Sequence, residues 1–244
     1  MHGQIFSSIK IFIEIRYVRD QRKLCTNFNQ GVLPVAGLRE RQKQDRQKRI
    51  LEEARALILE QGYEATTIEG IAAAAGLSGV TVHNYYGTKA GVLLAIVAES
   101  DRKLLEKMGA ALSRDIDDLL ELLLSFATII RHHAVTNLNK PIWRQVVAAT
   151  IVDPDSRFAK TYHELDHKLS MVLVREVERL QEAGRVSADI SAIAVGKGLF
   201  HLQNTRFIQF VSLDDMTEEK ADETLRRDVS ALLHALPCRG SRGG

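Results

Sequence analysis

Residues 72–89 read AAAAGLSGVTVHNYYGTK, and the fold turns on how this stretch is read. Four alanines favour a helix that loses little side-chain entropy on ordering. Gly76 can take the left-handed conformation that ends a helix and reverses the chain, Leu77 offers an apolar anchor, and Ser78 is a good N-cap for another helix. That second short helix is predicted from Gly79. Val82 and Tyr86, four apart, take its inner face, leaving Gly79, Val80, Thr81, His83 and Asn84 on the outer one. Two short helices around a tight turn have the geometry of a helix-turn-helix, in which the first helix braces and the second enters the major groove of double-stranded DNA.

The flanking sequence extends the helical pattern. From about Asp45, residues Ile50, Leu51, Ala54, Leu57 and Ile58 fall on one helical face, and the segment QGYEATT (61–67) ends that helix at Gly62. Thr66 with Glu69 matches a capping box opening the alanine-rich helix. Beyond residue 88, amphipathic periodicity predicts helices over about 88–108, 115–135, 140–151, 156–183, 188–211 and 217–236, punctuated by Asp153-Pro154, Gly184 and Asp214-Asp215. The expected class is all-α.

Residues 62–99, GYEATTIEGIAAAAGLSGVTVHNYYGTKAGVLLAIVAE, resemble the DNA-binding domain of the TetR family of bacterial transcriptional regulators. A Gly-aromatic helix end, a Thr-Thr cap, an Ala-Gly turn, a Ser cap and a Tyr-aromatic pair occur in the family's order and spacing. The likeness runs from about residue 45 to 105, under a third of the chain. It implies a three-helix DNA-binding domain over 41–92, followed by a helical ligand-binding and dimerisation domain over 93–236. It also implies a ligand-responsive repressor that binds a palindromic operator as a homodimer and is not an enzyme.

Within the recognition helix, Asn84 carries the amide that can pair with adenine, Thr81 can hydrogen-bond or touch a thymine methyl, and Val80 offers apolar contact. Ser78 and Gly79 open the helix at the same surface. The resemblance assigns phosphate contacts to Thr67, His83, Tyr85 and Lys89, and Thr88 can cap the helix whose positive end Lys89 reinforces. The family usually places tyrosine at position 83 and a polar or basic residue at 79, so this chain offers fewer contacts there. Upstream, RERQKQDRQKR (39–49) holds six basic residues in eleven, among them Arg46 and Arg49, and reads as an arm that grips phosphates or lies in a minor groove.

Charge supports a polyanionic partner at this end. Residues 1–50 hold eleven Lys or Arg against four acids, net +7, and the remainder is net −5, for the total of +2. Cys25 and Cys238, far apart in sequence, make neither a metal pair nor a disulfide framework, which suits a reducing, cytoplasmic setting. Lys10, Glu14 and Arg16 interrupt the apolar stretch near the start, so it reads as neither a signal peptide nor a membrane span. IKIFIEIRY (9–17) alternates like a lone strand. Residues 1–40 are taken as a loosely ordered extension and 237–244 as a flexible tail.

The last two helices, with glycines at 196 and 198, resemble the family's four-helix dimer interface. His133, Trp143 and Tyr162 are the candidate lining of an effector pocket, a small-molecule effector being expected and no cofactor. A rival reading starts from HELDH (163–167), which fits the H-E-x-x-H pattern of zinc hydrolases, with His163 and His167 as ligands and Glu164 as base. Against it, Asp166 occupies a normally apolar position, no third ligand comes after it, and both histidines fall away from the apolar stripe Phe158-Leu165-Leu169-Val172-Leu180. A helix-turn-helix protein acting through protein partners is the third class.

Overall fold

A computed structural model of the chain describes residues 35–112 and 116–235. Among these residues all regular structure is helical: α1 Val35–Gln61, α2 Ile68–Ala74, α3 Gly79–Tyr86, α4 Lys89–Ala111, α5 Leu119–Asn137, α6 Lys140–Val152, α7 Arg157–Glu182, α8 Ala192–Ser212 and α9 Glu218–Ala235. The expected strand at 9–17, most of the 1–40 extension, Cys25, Cys238 and the 237–244 tail lie outside the described residues. Residues 35–44 are the opening turns of α1. From Asp45 onward the described chain packs as one unit.

Helix α1 starts ten residues before the expected Asp45, so the basic run 39–49 lies within a helix. Arg, Lys, Gln and Glu are all good helix formers, and Glu40–Lys43 (3.9 Å) and Lys48–Glu52 (3.8 Å) pair along the exposed face. Its later turns bury Ile50, Ala54 and Ile58 completely, and it ends at Gly62 with φ of +86°.

The cap of α2 also differs from expectation, by one residue. Thr67, not Thr66, is the N-cap, its Oγ1 accepting from Gly70 N at 3.0 Å. Thr66 turns inward, buried, and donates to Gly62 O at 2.8 Å. A buried hydroxyl needs a partner, and the carbonyl left open at the end of α1 provides it.

Helices α5 to α9 appear in the expected order, and caps sharpen their starts. Asp118 caps α5 and Ser191 caps α8, each later than the periodicity suggested. Helix α5 is long and apolar enough to cross a membrane, yet Leu122, Leu123, Phe126, Ala127 and Ile130 are buried within the bundle and its Arg131 is paired with Asp222 of α9. Helix α8 lies along α7. The approach is close because Gly196 sits on the α7 backbone: a Cβ there would fall 2.6 Å from Val174 Cα and 2.7 Å from Val174 N. Gly196 therefore serves packing within the chain, which corrects its assignment to a dimer seam; Gly198, two residues on, faces outward with open space around it.

Lysines fasten two helix junctions in the same way. Lys89, opening α4, donates to the carbonyls of Tyr63 (2.9 Å) and Glu64 (3.2 Å) and lies 4.4 Å over the Tyr63 ring. Lys140, opening α6, donates to Leu213 O (2.8 Å) and Met216 O (2.6 Å) and lies 4.2 Å over Phe210. Each ammonium answers carbonyls at the end of another helix and adds a cation–π contact.

Gly196→Ala should lower unfolding stability by about 1–3 kcal/mol, because α7 and α8 must separate to admit the methyl. Gly198→Ala should leave stability level or raise it by up to about 1 kcal/mol through helix propensity. Urea melts of the two variants check the contrast.

Candidate nucleic-acid interface and effector cavity

The turn between α2 and α3 closes with two backbone bonds. Gly76 N donates to Ala73 O (3.1 Å) and Leu77 N to Ala72 O (2.8 Å), with Gly76 at φ +65°. This is the Schellman arrangement, and the left-handed residue it needs is the glycine. Ser78 then caps α3, its Oγ accepting from Thr81 N at 3.2 Å and sharing a 2.9 Å bond with Thr81 Oγ1. The alanines divide by position: Ala72 and Ala75 are buried against the domain core, while Ala73 and Ala74 are exposed.

Val82 pins α3 to that core, fully buried with Ile50, Ile71 and Ile96 in one cluster. At the end of α3 the aromatic pair holds α1: Tyr85 OH accepts from Arg46 Nε (3.4 Å) and Tyr86 OH donates to Gln47 O (3.5 Å). Burial is the main reason the Tyr86 phenol is raised to about 12, so it remains a donor. Thus fixed, α3 turns Val80, His83 and Asn84 to the exterior together, with Val80 70% exposed. Thr81 and Gly79 flank them half-buried. A Cβ at Gly79 would meet only Glu69 Oε1, at 4.0 Å.

The residues expected at phosphates take several local roles in this domain. Thr67 and Thr88 are both N-caps, with Thr88 Oγ1 accepting from Gly91 N at 3.0 Å. Lys89 is held on the loop that leads to Thr67, Arg49 is exposed on α1, and Arg46 is engaged with Tyr85. Gly87 at φ +73° and Gly91 bring α4 against the end of α3: a Cβ on Gly91 would strike the Tyr86 carbonyl oxygen. The start of α4 and the recognition helix are thereby locked together.

Residues 50–96 match the family model of bacterial regulatory proteins of the tetR family. Over these residues the chain is similar to the DNA-binding domain of that family. No curated protein matches the sequence, but solved structures share its fold. Thermus thermophilus FadR, a TetR-family transcriptional repressor in complex with lauroyl-CoA, superposes with a TM-score of 0.62 at 22% identity, over 81% of this chain and 98% of that one. Salmonella enterica GusR gives 0.59 at 19%, over 78% and 96%. A Saccharomonospora viridis structure in complex with choline gives 0.59 at 21%, over 77% and 96%. At these identities the likeness is one of fold.

Helices α4, α5, α6, α7 and α8 line a cavity of about 30 Å³. The three residues expected to line an effector pocket all reach it: His133 from α5, Trp143 from α6 and Tyr162 from α7. Trp143 Nε1 donates to Ala134 O at 3.1 Å and stands edge-on to Phe207 with ring centroids 5.3 Å apart. His133 Nε2 shares a 2.8 Å bond with Ser100 Oγ, tying α5 to α4.

Three polar residues outside that expectation line the same cavity: Asp101, Asp166 and Gln203. Each breaks an apolar helical stripe, and that break is the signal the sequence carries. Asp101 stands on Leu93-Val97-Leu104-Met108, Asp166 on Tyr162-Leu169-Leu173, and Gln203 on Phe200-Phe207-Phe210, all of whose apolar members are buried. Asp166 accepts from Asn204 Nδ2 at 3.4 Å, and the Gln203 side-chain oxygen, buried, has no hydrogen-bond partner among the described residues. Burial raises both carboxyl groups to about 7, and for Asp101 the charge of Asp166 adds to the rise. His163, Glu164 and His167 are exposed on α7 while Asp166 points to the cavity, and no group of three His, Cys, Asp or Glu among the described residues could hold a metal.

A carboxyl raised in the folded state keeps a proton that the unfolded chain has released, so the ligand-free protein should lose stability as pH rises from about 4 to about 7 and level off above. His133 and Tyr162 are the other titratable groups on the cavity. Asp101→Asn should flatten that slope and add on the order of 1–3 kcal/mol at pH 8. Thermal or urea melts at a series of pH values check it.

Proposed function

We propose that this TetR-family protein is a ligand-responsive transcriptional repressor that binds a palindromic operator as a homodimer and catalyses no reaction. The observation that carries the reading is the continuity of α4. Its first turn is locked to the recognition helix through Gly91 and to the end of α1 through Lys89, and twelve residues on from Lys89, about 18 Å along the helix, its Asp101 lines the cavity.

A cavity of about 30 Å³ holds one or two waters. A larger effector must part α4 from α7, and a rigid helix passes that displacement to α3. An effector that binds one placement of α3 better than another shifts the dimer between operator-bound and released forms. The fold neighbours carry lauroyl-CoA in one case and choline in another, so similarity of fold leaves the effector's chemistry to this chain's own residues.

On DNA, Asn84 with Thr81 and Val80 reads base edges, while Thr67, His83, Lys89, Arg49 and the Tyr85–Arg46 pair stand where phosphates pass. Asn84→Ala should cost about 1–3 kcal/mol on operator DNA and leave non-specific binding unchanged. Arg49→Ala should weaken binding to all sequences alike and reduce the salt slope by about 0.9 for every phosphate it ceases to neutralise. Titration of a fragment carrying the protein's own promoter against a scrambled one, at several salt concentrations, separates the two. Equal loss on both fragments for Asn84→Ala removes it from base reading.

The homodimer rests on the outer face of α8, where Ala194, Gly198, His201, Thr205 and Ile208 form an exposed stripe opposite the side packed on α7. Gly198 is the point of closest possible approach. Gly198→Arg should convert dimers to monomers in sedimentation at micromolar concentration, with the helical circular dichroism unchanged. An unaltered dimer places the interface elsewhere.

A further inference from the structure

The cavity behind the DNA-binding domain has an unusual set of polar groups. Asp101, Asp166 and the unpartnered Gln203 oxygen are all acceptors, and no Lys or Arg is among the residues that line it. Trp143, Tyr162 and Phe207 contribute aromatic surface to the same walls. Gln203 is 2% exposed and Asp101 7%, so these groups are withdrawn from bulk water, and a buried acceptor without a donor costs about 1–3 kcal/mol. That cost is recovered when something that donates hydrogen bonds enters.

We propose that the cavity receives the protonated head of an organic amine, a primary ammonium whose three N–H groups are divided among Asp101, Asp166 and Gln203. The inference rests on the reading of the protein as effector-responsive and names the effector's chemical class. Three features select this class. An anion would face two carboxyl groups with no Lys or Arg to offset them. A neutral alcohol donates once and leaves acceptors unanswered. A quaternary ammonium has no N–H to donate to Gln203 or to either carboxyl group. Aromatic faces then favour the cation further, since a desolvated ammonium near Trp or Tyr gains from the ring quadrupole. The apolar remainder of the molecule would lie against Leu104, Ile130 and Leu169, which line the same space, and would be the part that separates the helices.

The test uses the full-length protein and four probes of one chain length, hexylammonium, hexanol, hexanoate and hexyltrimethylammonium, measured by calorimetry at pH 7.5. Hexylammonium should bind at least about tenfold more tightly than each of the other three, the weight of one charge-assisted hydrogen bond. Asp101→Asn, Asp166→Asn and Gln203→Leu should each reduce hexylammonium affinity about tenfold or more and leave hexanol affinity within about twofold. The Asn variants keep the side-chain shape and remove a buried charge, so folding is retained and is checked by melting. The proposal is overturned by no saturable hexylammonium binding, by equal binding of hexanol, hexanoate or the quaternary probe, or by Asn variants that bind as the parent does. A bound probe of another charge that releases DNA would refute the amine while sustaining the effector reading. Saturation of the cavity with no change in DNA affinity would instead count against the effector reading itself.

Discussion

Helix α4 is the constraint on which the rest of the molecule depends. Its N-terminal half completes the DNA-binding core through Val92, Leu93, Ile96 and Val97, and its C-terminal half enters the larger bundle through Leu104 and Met108. No break separates the two halves, so the recognition helix and the cavity are attached to one rod. The junction at its start is unusually committed: Gly87 turns, Thr88 caps, Gly91 admits the carbonyl of Tyr86, and Lys89 reaches back to the end of α1. A change in the direction of α4 therefore cannot be absorbed locally and must reach α3.

The larger body is held by partly buried ion pairs as well as by apolar packing. Arg131, fully buried on α5, pairs with Asp222 on α9 and reaches Thr128, and Arg206 on α8 pairs with Asp228 on α9. Such pairs add less to stability than to the choice of one arrangement over another, because either partner left alone in the interior is costly. The cavity is the exception to this pattern. There the Gln203 side-chain oxygen is buried without a partner among the described residues, and burial raises two carboxyl groups to about 7.

Much of this was legible along the chain. Ser78, Thr88 and Gly76 act as their residue types foretell, because caps and left-handed turns are local: the bond partners lie within a few residues and no distant packing intervenes. Helix order could be read from periodicity for the same reason. Expectation and structure part where near-equal local choices compete. Thr66 and Thr67 both suit a cap, and only the burial of Thr66 beneath the end of α1 settles which one serves. The run 39–49 is rich in helix formers as well as charge, and the i to i+3 and i to i+4 pairs along it accompany a helix that starts earlier than periodicity suggested.

The sequence by itself determined the all-helical class, the helix-turn-helix and its outward face, because these depend on spacing within a few turns. Tertiary structure alone decided where Lys89 and Gly196 are used and what Asp101, Asp166 and Gln203 have in common. Those three stand on α4, α7 and α8, separated by 65 and 37 residues of chain, and each reads singly as a polar interruption of an apolar stripe. Only when the helices pack do the interruptions meet, since a buried acceptor acquires its meaning from the groups that face it across the core.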